Sequence, residues 1–344
     1  MNWRALLFPF SILYGMVIAI RNFLYDGGIL RSASFDKPVI LVGNLSMGGT
    51  GKTPHVEYLI RLLQGRYRLA TLSRGYGRSS KGFQLAGADA TTALLGDEPF
   101  MYHCKYPDIQ VAVCADRAEG IQRLFASADG CDVVVMDDGF QHRSVTPSLQ
   151  ILLNPHGSRF THDHVLPMGN LREPRSGYWR ADIIIVTGCP DGLHNDQKQA
   201  IIEELKPLPT QTVFFSRIVY GDPVAFDASS KGIQPANKVA AFAGIAHPEN
   251  FFNHAATLGT SSQHYVFADH HRFTAEELSR IIKAHPSNTT FLTTEKDFVR
   301  LQSDGFLSLF YNQPAFYIPI QVQIDRQEEF DSMVLKHIVE YSHF

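Results

Sequence analysis

The sequence predicts an α/β protein with a mostly parallel sheet, a second, smaller α/β domain and an apolar helix at the N-terminus. Two observations carry this prediction. Short apolar runs typical of buried strands alternate with amphipathic helical segments along most of the 344 residues, a pattern that favours parallel strands joined by crossover helices. The first of these runs also leads through a glycine-rich loop into a helix. A chain of this length has room for two domains.

The glycine-rich loop lies between an apolar strand that begins at Val39 and a helix expected from His55 to Leu63. Pro54 suits the first helical position, where its missing N–H costs nothing, and Gly65 is placed to end the helix. Strand, glycine loop, Gly-Lys-Thr and helix together predict a phosphate-binding P-loop. The fold class is therefore P-loop NTPase-like, that is, Rossmann-like.

Each residue type in this loop has a physical reason. Glycines allow backbone N–H groups to close around phosphate oxygens, and the helix N-terminus adds its positive dipole. Lys52 would reach the β- and γ-phosphates, and Thr53 would bind Mg²⁺. The general pattern has glycine where this chain has Ser46. The predicted nucleotide-binding residues are Ser46, Met47, Gly48, Gly49, Thr50, Gly51, Lys52 and Thr53.

A second stretch of the chain fits the P-loop prediction. The apolar run from Asp132 to Met136 reads as a strand, and it ends in two carboxylates, Asp137 and Asp138. An acid at the end of such a strand holds Mg²⁺ opposite the P-loop threonine in P-loop NTPases. We therefore expect Asp138 and Thr53 to share the metal ion.

The chain divides into three parts on this evidence. Residues 1–30 form the N-terminal helical segment, 31–214 the P-loop core, and 215–344 the smaller domain, whose last residues are free to return to the core. Further strands are expected at 69–73, 111–113, 150–153, 182–187, 239–243, 264–267 and 291–293. Helices are expected after 96–99, over 118–125 and 248–258, and from a capping box at Thr274. The long irregular loop 162–175 is typical of a functional segment.

The N-terminal stretch from Ala5 to Ile20 is apolar or small throughout, lies between Arg4 and Arg21, and contains Pro9. Sixteen helical residues span about 24 Å at ~1.5 Å per residue, which is short for a bilayer core. No small-residue cleavage site of a signal peptide follows. We favour a helix in the membrane surface; a buried helix of a soluble core is the alternative.

Charge is unevenly distributed. Residues 1–81 hold eleven Lys or Arg and three acidic residues, so this part is +8 while the whole chain is −3. A basic N-terminal part favours an anionic partner: a nucleotide, a phosphorylated substrate or a lipid surface. The four cysteines show no CxxC spacing and read as reduced thiols. The histidines at 162, 164, 270 and 271 are not expected to bind a metal.

Taken together, the motifs resemble the tetraacyldisaccharide 4′-kinase family of Gram-negative bacteria over nearly the whole chain. The resemblance rests on residues 42–54, 72–78, 96–99, 137–142, 166–174, 243–248, 269–271 and 293–297. The family also uses Ser or Thr at the position of Ser46, and it more often has Asn at that of His247.

The resemblance implies transfer of the γ-phosphate of ATP, with Mg²⁺, to the 4′-hydroxyl of a tetraacylated glucosamine disaccharide 1-phosphate in lipid A biosynthesis. The acylated substrate stays in the bilayer, so the enzyme would act at the cytoplasmic face of the bacterial inner membrane as a peripheral or monotopic protein. Two Rossmann-like domains would enclose the active site. No nucleic acid and no obligatory protein partner is expected.

The resemblance also implies residue roles. Asp97 resembles the general base, and His270 its partner, which orients that carboxylate. The surrounding polar shell, including substrate-binding groups, is expected to comprise Arg74, Tyr76, Glu98, Arg117, Asp137, Gln141, His142, Arg172 and Arg175. Of these, Arg74, Arg172 and Arg175 would bind the 1-phosphate or the transferring phosphates through forked contacts.

Two other classes of protein remain as alternatives. One is a membrane-associated P-loop GTPase switch, although the sequence lacks the guanine-reading Asn-Lys-x-Asp motif. The other is a non-catalytic assembly protein that retains only the nucleotide-binding fold. Comparing ATP with GTP binding separates the first from a kinase, and transfer of phosphate to a lipid acceptor separates the second.

Overall fold

The structure, a computed structural model, describes residues 3–227, 238–311 and 313–341. Its α-helices are α1 Phe8–Asp26, α2 Lys52–Leu63, α3 Thr92–Leu95, α4 Asp97–Lys105, α5 Arg117–Ala126, α6 Asn195–Leu205, α7 Glu249–Ala256, α8 Ala275–Lys283, α9 Glu295–Ser303 and α10 Gln327–Tyr341. The strands form two sheets, so the predicted α/β class with mostly parallel sheets is confirmed.

The large sheet has nine strands in the order β14-β8-β7-β6-β1-β5-β2-β4-β3. These are β1 Val39–Asn44, β2 Leu69–Ser73, β3 Gln84–Leu85, β4 Gln110–Val113, β5 Val133–Asp137, β6 Leu149–Pro155, β7 Ile183–Thr187, β8 Thr212–Tyr220 and β14 Ile320–Ile324. Only the two outermost strands, β3 and β14, run antiparallel to their neighbours. The carboxyl ends of the parallel strands therefore meet along one edge, where ligands bind in folds of this kind.

Helices cover both faces of this sheet, which explains why its strands are continuous apolar runs rather than alternating ones. On β1, Ile40 and Val42 pack on the face covered by α2, α4 and α10. Val39 and Leu41 pack on the opposite face, against α5 and α6. The site-bearing loops at the carboxyl edge thus rest on a core that is fixed from both sides.

The smaller sheet has five strands in the order β11-β10-β12-β13-β9. They are β9 Val224–Ala225, β10 Lys238–Ala243, β11 Ser261–Val266, β12 Thr290–Thr294 and β13 Ala315–Ile318. All are parallel except β9. Helices α7 and α8 pack on its two faces, and the predicted capping box of α8 is present, with Thr274 and Glu277 bonded reciprocally.

The large sheet extends past residue 215, where the sequence placed the division, because β8 continues to Tyr220. Its partner β14 and helix α10 come from the last part of the chain. Sequence reasoning did not identify the helices α3, α6, α9 and α10 or the strands β3, β8, β9, β13 and β14. These elements are short or flanked by polar residues, and periodicity alone detects such segments poorly.

Helix α1 lies on the outside of the core. It is long and apolar enough to cross a membrane. Only 6% of its apolar stretch is buried in the protein. The alternative of a buried core helix is therefore wrong, and an apolar N-terminal helix that fits membrane association remains. Pro9 lies in the first turn of α1 and does not interrupt it, because the first N–H groups of a helix have no intrahelical partners.

Candidate active site

The predicted nucleotide-binding residues lie together in the loop between β1 and α2. Gly51 adopts a left-handed backbone (φ 84°) just before the helix begins at Lys52, a conformation that favours glycine. Pro54 is the third helical residue rather than the first, and it still lies among the positions whose N–H has no helical partner. Lys52 Nζ lies 3.4 Å from Asn44 Oδ1 and 3.6 Å from Asp138.

The two carboxylates at the end of β5 differ in their surroundings. Asp138, in a left-handed conformation (φ 51°), accepts hydrogen bonds from Arg172 at 2.9 and 3.1 Å. Burial opposes ionisation of Asp138, but the charges of Lys52 and Arg172 lower its pKa. The structure therefore brings together three of the predicted site residues, Asp138, Lys52 and Arg172.

Asp137 is buried. Its Oδ2 accepts a hydrogen bond from the Tyr102 hydroxyl at 3.2 Å, while its Oδ1 is buried without a hydrogen-bond partner among the described residues. Burial raises the pKa of Asp137 to about 6, against the opposing charge of Lys52. A buried carboxylate oxygen without a partner is costly, and a bound cation would satisfy it.

Basic groups lie beside these acids. Arg117 is fully buried, and burial lowers its pKa to about 10 even though Asp137 and Asp138 counteract it. Its Nη1 donates to the Cys114 carbonyl, whereas Nε and Nη2 have no partner in the described part of the chain. Burial, and then the charges of Arg117 and Arg74, lower the pKa of His142 to about 4. The cluster can receive an anion.

The predicted pair of Asp97 and His270 is formed across the two sheets. Asp97 is the first residue of α4, which packs on the large sheet, and His270 follows β11 of the small sheet. The His270 Nδ1 atom lies 2.9 Å from Asp97 Oδ2. Arg300 of α9 donates from Nε to the same oxygen at 2.7 Å. The guanidinium of Arg300 has only donors. Because Nδ1 of His270 donates its own proton to Asp97, it cannot accept a hydrogen bond from Arg300 Nη2.

Oδ2 of Asp97 accepts both hydrogen bonds. Its other oxygen, Oδ1, has no hydrogen-bond partner among the described residues. Burial would raise the pKa of Asp97, but the His270 hydrogen bond and the Arg300 charge outweigh it and lower the pKa to about 2. The hydrogen bond to Asp97 raises the pKa of His270 in turn. The cap of α4 is Gly96, so the Asp97 carboxylate does not serve as a helix cap.

Two cations of this cluster were missed by the sequence reasoning. Besides Arg300, Lys296 donates to Glu98 at 2.7 Å. Both lie on α9, which Thr294 caps by accepting from Asp297 N–H. Positions 296 and 300 are one turn apart and share a face, which is the signal that could have found them. Tyr76, also predicted, has its ring 6.0 Å from the His270 ring.

Helix α4 connects the two groups of residues. Its first residue, Asp97, meets His270 and Arg300, and Tyr102 on the next turn reaches Asp137. Gly49 of the P-loop also lies near His247, which follows β10 of the small sheet, because a Cβ atom added at Gly49 would be 3.2 Å from the His247 ring. Residues from both sheets therefore meet at one place, and we call this junction of the two sheets the cleft.

The loop after β6 joins α1 to this cleft. Gln141 donates a hydrogen bond to the buried Glu173 at 2.9 Å, and Glu173 also accepts from Arg180 and from Asn22 of α1.

Arg175 behaves differently from the other predicted arginines. It is exposed, and its Nε donates to the carbonyl of Asp163 within the same loop, so the structure does not bring it to Asp138.

Comparison with known proteins gives a consistent result. The family model "Tetraacyldisaccharide-1-P 4'-kinase" matches residues 3–339. Proteins named tetraacyldisaccharide 4'-kinase from Flavobacterium johnsoniae and Parabacteroides distasonis are 44% and 41% identical to this chain; each alignment covers 98% of it, and 98% and 95% of the relative.

A solved structure is also similar. The crystal structure of LpxK from Aquifex aeolicus in complex with ATP superposes with a TM-score of 0.75 at 30% identity, covering 97% of this chain and 99% of that one. With a family model that spans nearly the whole sequence and relatives above 40% identity, the chain belongs to the tetraacyldisaccharide-1-P 4'-kinase family.

Proposed function

We propose that this chain transfers the γ-phosphate of ATP to the 4′-hydroxyl of a tetraacylated disaccharide 1-phosphate in the cleft between its two sheets. Membership of the family makes it a kinase of lipid A biosynthesis. One observation carries the choice of site: α4 joins the acids at the end of β5, through Tyr102, to the Asp97–His270 pair.

The nucleotide end of the cleft is the P-loop. The N–H groups at the start of α2, which have no carbonyl partner within the helix, and the ammonium of Lys52 would bind the ATP phosphates. Arg172, held at Asp138, lies where it could stabilise negative charge on the transferring group. Phosphoryl transfer requires chiefly such positioning and charge stabilisation.

The residues present fit a magnesium ion. Mg²⁺ in kinases is typically held by one or two carboxylates together with substrate phosphates. The buried oxygen of Asp137, which has no hydrogen-bond partner among the described residues, and the partly exposed carboxylate of Asp138 provide such a pair near Lys52, and Thr53 is the second residue of α2. Thr53, Asp137 and Asp138 would hold the ion, which neutralises phosphate charge when bound.

At the acceptor end, Asp97 is ionised and has one oxygen free of hydrogen bonds among the described residues. It would accept the proton of the sugar hydroxyl. In a loose transition state the hydroxyl is activated late, so a weakly basic carboxylate suffices if it is well placed. His270 and Arg300 supply that placement. Arg74, which is exposed, and Arg117, which lies beside Asp137 and Asp138, would bind a phosphate group between the two ends.

The substrate's acyl chains require a membrane surface. Helix α1 presents exposed apolar side chains on its outer side, including Leu13, Val17 and Ile20. We infer that α1 lies in the cytoplasmic face of the inner membrane, where ATP is available. Its polar side contacts the loop that carries Arg172, so binding to the membrane would bring the acceptor's headgroup to the cleft.

The experiment is direct transfer of labelled γ-phosphate from ATP to the disaccharide 1-phosphate by purified protein in detergent. Wild type should transfer phosphate from ATP, and Lys52→Ala should lose on the order of 10²-fold or more in rate, since it removes a preorganised charge. Lys336→Ala, on the exposed side of α10, is the control. ATP binding without transfer would support the assembly protein, and a preference for GTP would support the switch.

A further inference from the structure

Two consecutive carbonyl groups on the inner side of the P-loop are held by buried side chains. Thr187, at the end of β7, donates from Oγ1 to the Thr50 carbonyl at 2.9 Å. His55, on α2, has Nδ1 at 2.7 Å from the Gly51 carbonyl. His55 also contacts Ser216 of β8. His55, Thr187 and Ser216 are buried, each at most 4% exposed.

The protonation of His55 follows from its partners. A carbonyl only accepts, so Nδ1 carries the proton that goes to Gly51. Burial lowers the pKa of His55 to about 4, although the bond to Gly51 opposes the shift, and the ring is therefore neutral at neutral pH. Nε2 is then an acceptor and receives the hydroxyl proton of Ser216 at 2.9 Å. Ser216 thus fixes the ring that holds Gly51.

Because the peptide bond is planar, these two contacts also set the direction of the N–H groups that follow the two carbonyls. In a planar trans peptide the C=O of one residue and the N–H of the next point in opposite directions. Holding the Thr50 carbonyl toward the core turns the Gly51 N–H outward, and holding the Gly51 carbonyl does the same for Lys52 N–H. Both N–H groups precede the first complete turn of α2, where no helical carbonyl is available to them.

We propose that Thr187, His55 and Ser216 are positioning residues that hold the P-loop in its anion-binding conformation before the nucleotide arrives. Gly51 needs this restraint, because glycine loses more conformational freedom on ordering than any other residue. A loop ordered in advance binds its ligand more tightly, since the ordering cost does not fall on binding. The proposal rests on the proposed function insofar as the ligand is ATP.

The test compares matched pairs of variants by calorimetric titration with ATP and Mg²⁺. Thr187→Val keeps the shape and removes the donor to Thr50. Thr71→Val is its control: Thr71 is equally buried on β2 of the same sheet, and its hydroxyl has no partner in the described structure. We expect Thr187→Val to raise the ATP Kd about three- to tenfold, as the loss of one hydrogen bond does, and Thr71→Val to leave it unchanged.

A second pair tests His55. His55→Phe removes both hydrogen bonds, whereas His55→Asn keeps an amide donor near the position of Nδ1. We expect the phenylalanine variant to raise the ATP Kd by about tenfold, and the asparagine variant to recover most of that loss. KM for ATP should rise in parallel while KM for the lipid acceptor stays the same, a split that general destabilisation would not produce.

The outcomes separate this proposal from the proposed function. If Lys52→Ala abolishes ATP binding while Thr187→Val binds ATP like the Thr71→Val control, the P-loop assignment stands and the positioning role is wrong. If Thr187→Val only lowers the melting temperature, with an unchanged ATP Kd, the contact is structural and the proposal fails. Thr187→Val decides the matter even if His55→Phe does not fold. A wild type that binds no ATP overturns both.

Discussion

The hydroxyl of Tyr14 donates a hydrogen bond to the carbonyl oxygen of Arg172 at 3.0 Å, and the guanidinium of the same Arg172 donates to both carboxylate oxygens of Asp138. The helix that faces outward is thereby one residue away from the acid at the end of β5. Arg21 and Asn22, also on α1, contact Gln141 and Glu173 of the same region. The helix is therefore part of the site's framework and not only an attachment.

The first prediction concerns Tyr14→Phe, which removes that hydrogen bond and leaves the apolar side of α1 intact. We expect kcat to fall between about twofold and tenfold, the range of one hydrogen bond, with unchanged binding to lipid vesicles. Tyr178→Phe is the control, because Tyr178 makes the same kind of bond to the Lys206 carbonyl on the other side of the loop. Equal effects of the two substitutions would contradict a specific role for Tyr14.

The second prediction concerns the outer side of α1. Leu13→Asp combined with Val17→Asp places charges on positions that are 58% and 57% exposed and make no part of the core. Burying apolar area in the lipid interface drives such binding, so the double variant should leave the membrane fraction and show a raised KM for the lipid acceptor. ATP binding should stay normal.

Val266→Asp is the control for that experiment, since Val266 is 66% exposed on the small sheet and is not part of α1. Vesicle co-sedimentation of all variants measures the outcome. A Leu13→Asp/Val17→Asp protein that still sediments with vesicles would mean that another surface holds the protein at the membrane.

The sequence predicted those parts of the site that follow from local chemistry. Glycines, Lys52 and Thr53 before an amphipathic helix specify a P-loop, and Asp137 and Asp138 after an apolar strand specify the acidic end of β5. The Asp97–His270 contact came from family resemblance, because 173 residues separate the two positions and no local pattern joins them. The structure adds its geometry: the cleft brings the carboxylate and the imidazole within hydrogen-bond distance.

What the sequence did not predict depends on tertiary contacts. The contact of Arg300 with Asp97 forms only when α9 packs against α4, and the contact of His55 with Ser216 forms only when β8 lies behind the P-loop. Arg175 shows the converse. Its position directly after the motif 166–174 suggested a residue that binds phosphate, but the fold of the loop directs its Nε to the Asp163 carbonyl. Charge alone does not tell which arginines face the cleft.

The third prediction concerns the chemical step. Asp97→Asn keeps the shape of the side chain but removes its charge, and we expect kcat to fall by about 10²- to 10⁴-fold, the range of general-base catalysis. His270→Ala should also lower kcat. If the two residues act as one unit, the double variant should be little worse than the worse single variant. Steady-state kinetics with both substrates provides the numbers.

Stability must be followed in the same variants, because Arg300 loses a charged partner when Asp97 is replaced. Near-normal kcat in Asp97→Asn, at unchanged melting temperature, would exclude Asp97 as the base. Strictly additive effects in the double variant would show that His270 acts on something other than Asp97.

The fourth prediction concerns the pH dependence of stability. The hydrogen bond to Asp97 raises the pKa of His270 above its usual 6.5, against the effect of burial, so the folded state binds the proton more tightly than the unfolded chain does. By linkage, this contribution is complete below pH 6.5 and is lost as the pH rises through the folded-state pKa. Asp97, with a pKa of about 2, stays ionised throughout this range.

We therefore expect wild type to exceed His270→Gln in unfolding midpoint by more at pH 6 than at pH 9. Glutamine still donates a hydrogen bond but does not titrate, so the difference between the two proteins isolates the proton. Urea denaturation at several pH values measures it, with His264→Gln as the control, because His264 is exposed on β11 and contacts Ser262 rather than a carboxylate. A difference that grows toward pH 9 would mean that the folded protein favours the neutral imidazole, and the pKa of His270 would then not be raised by Asp97.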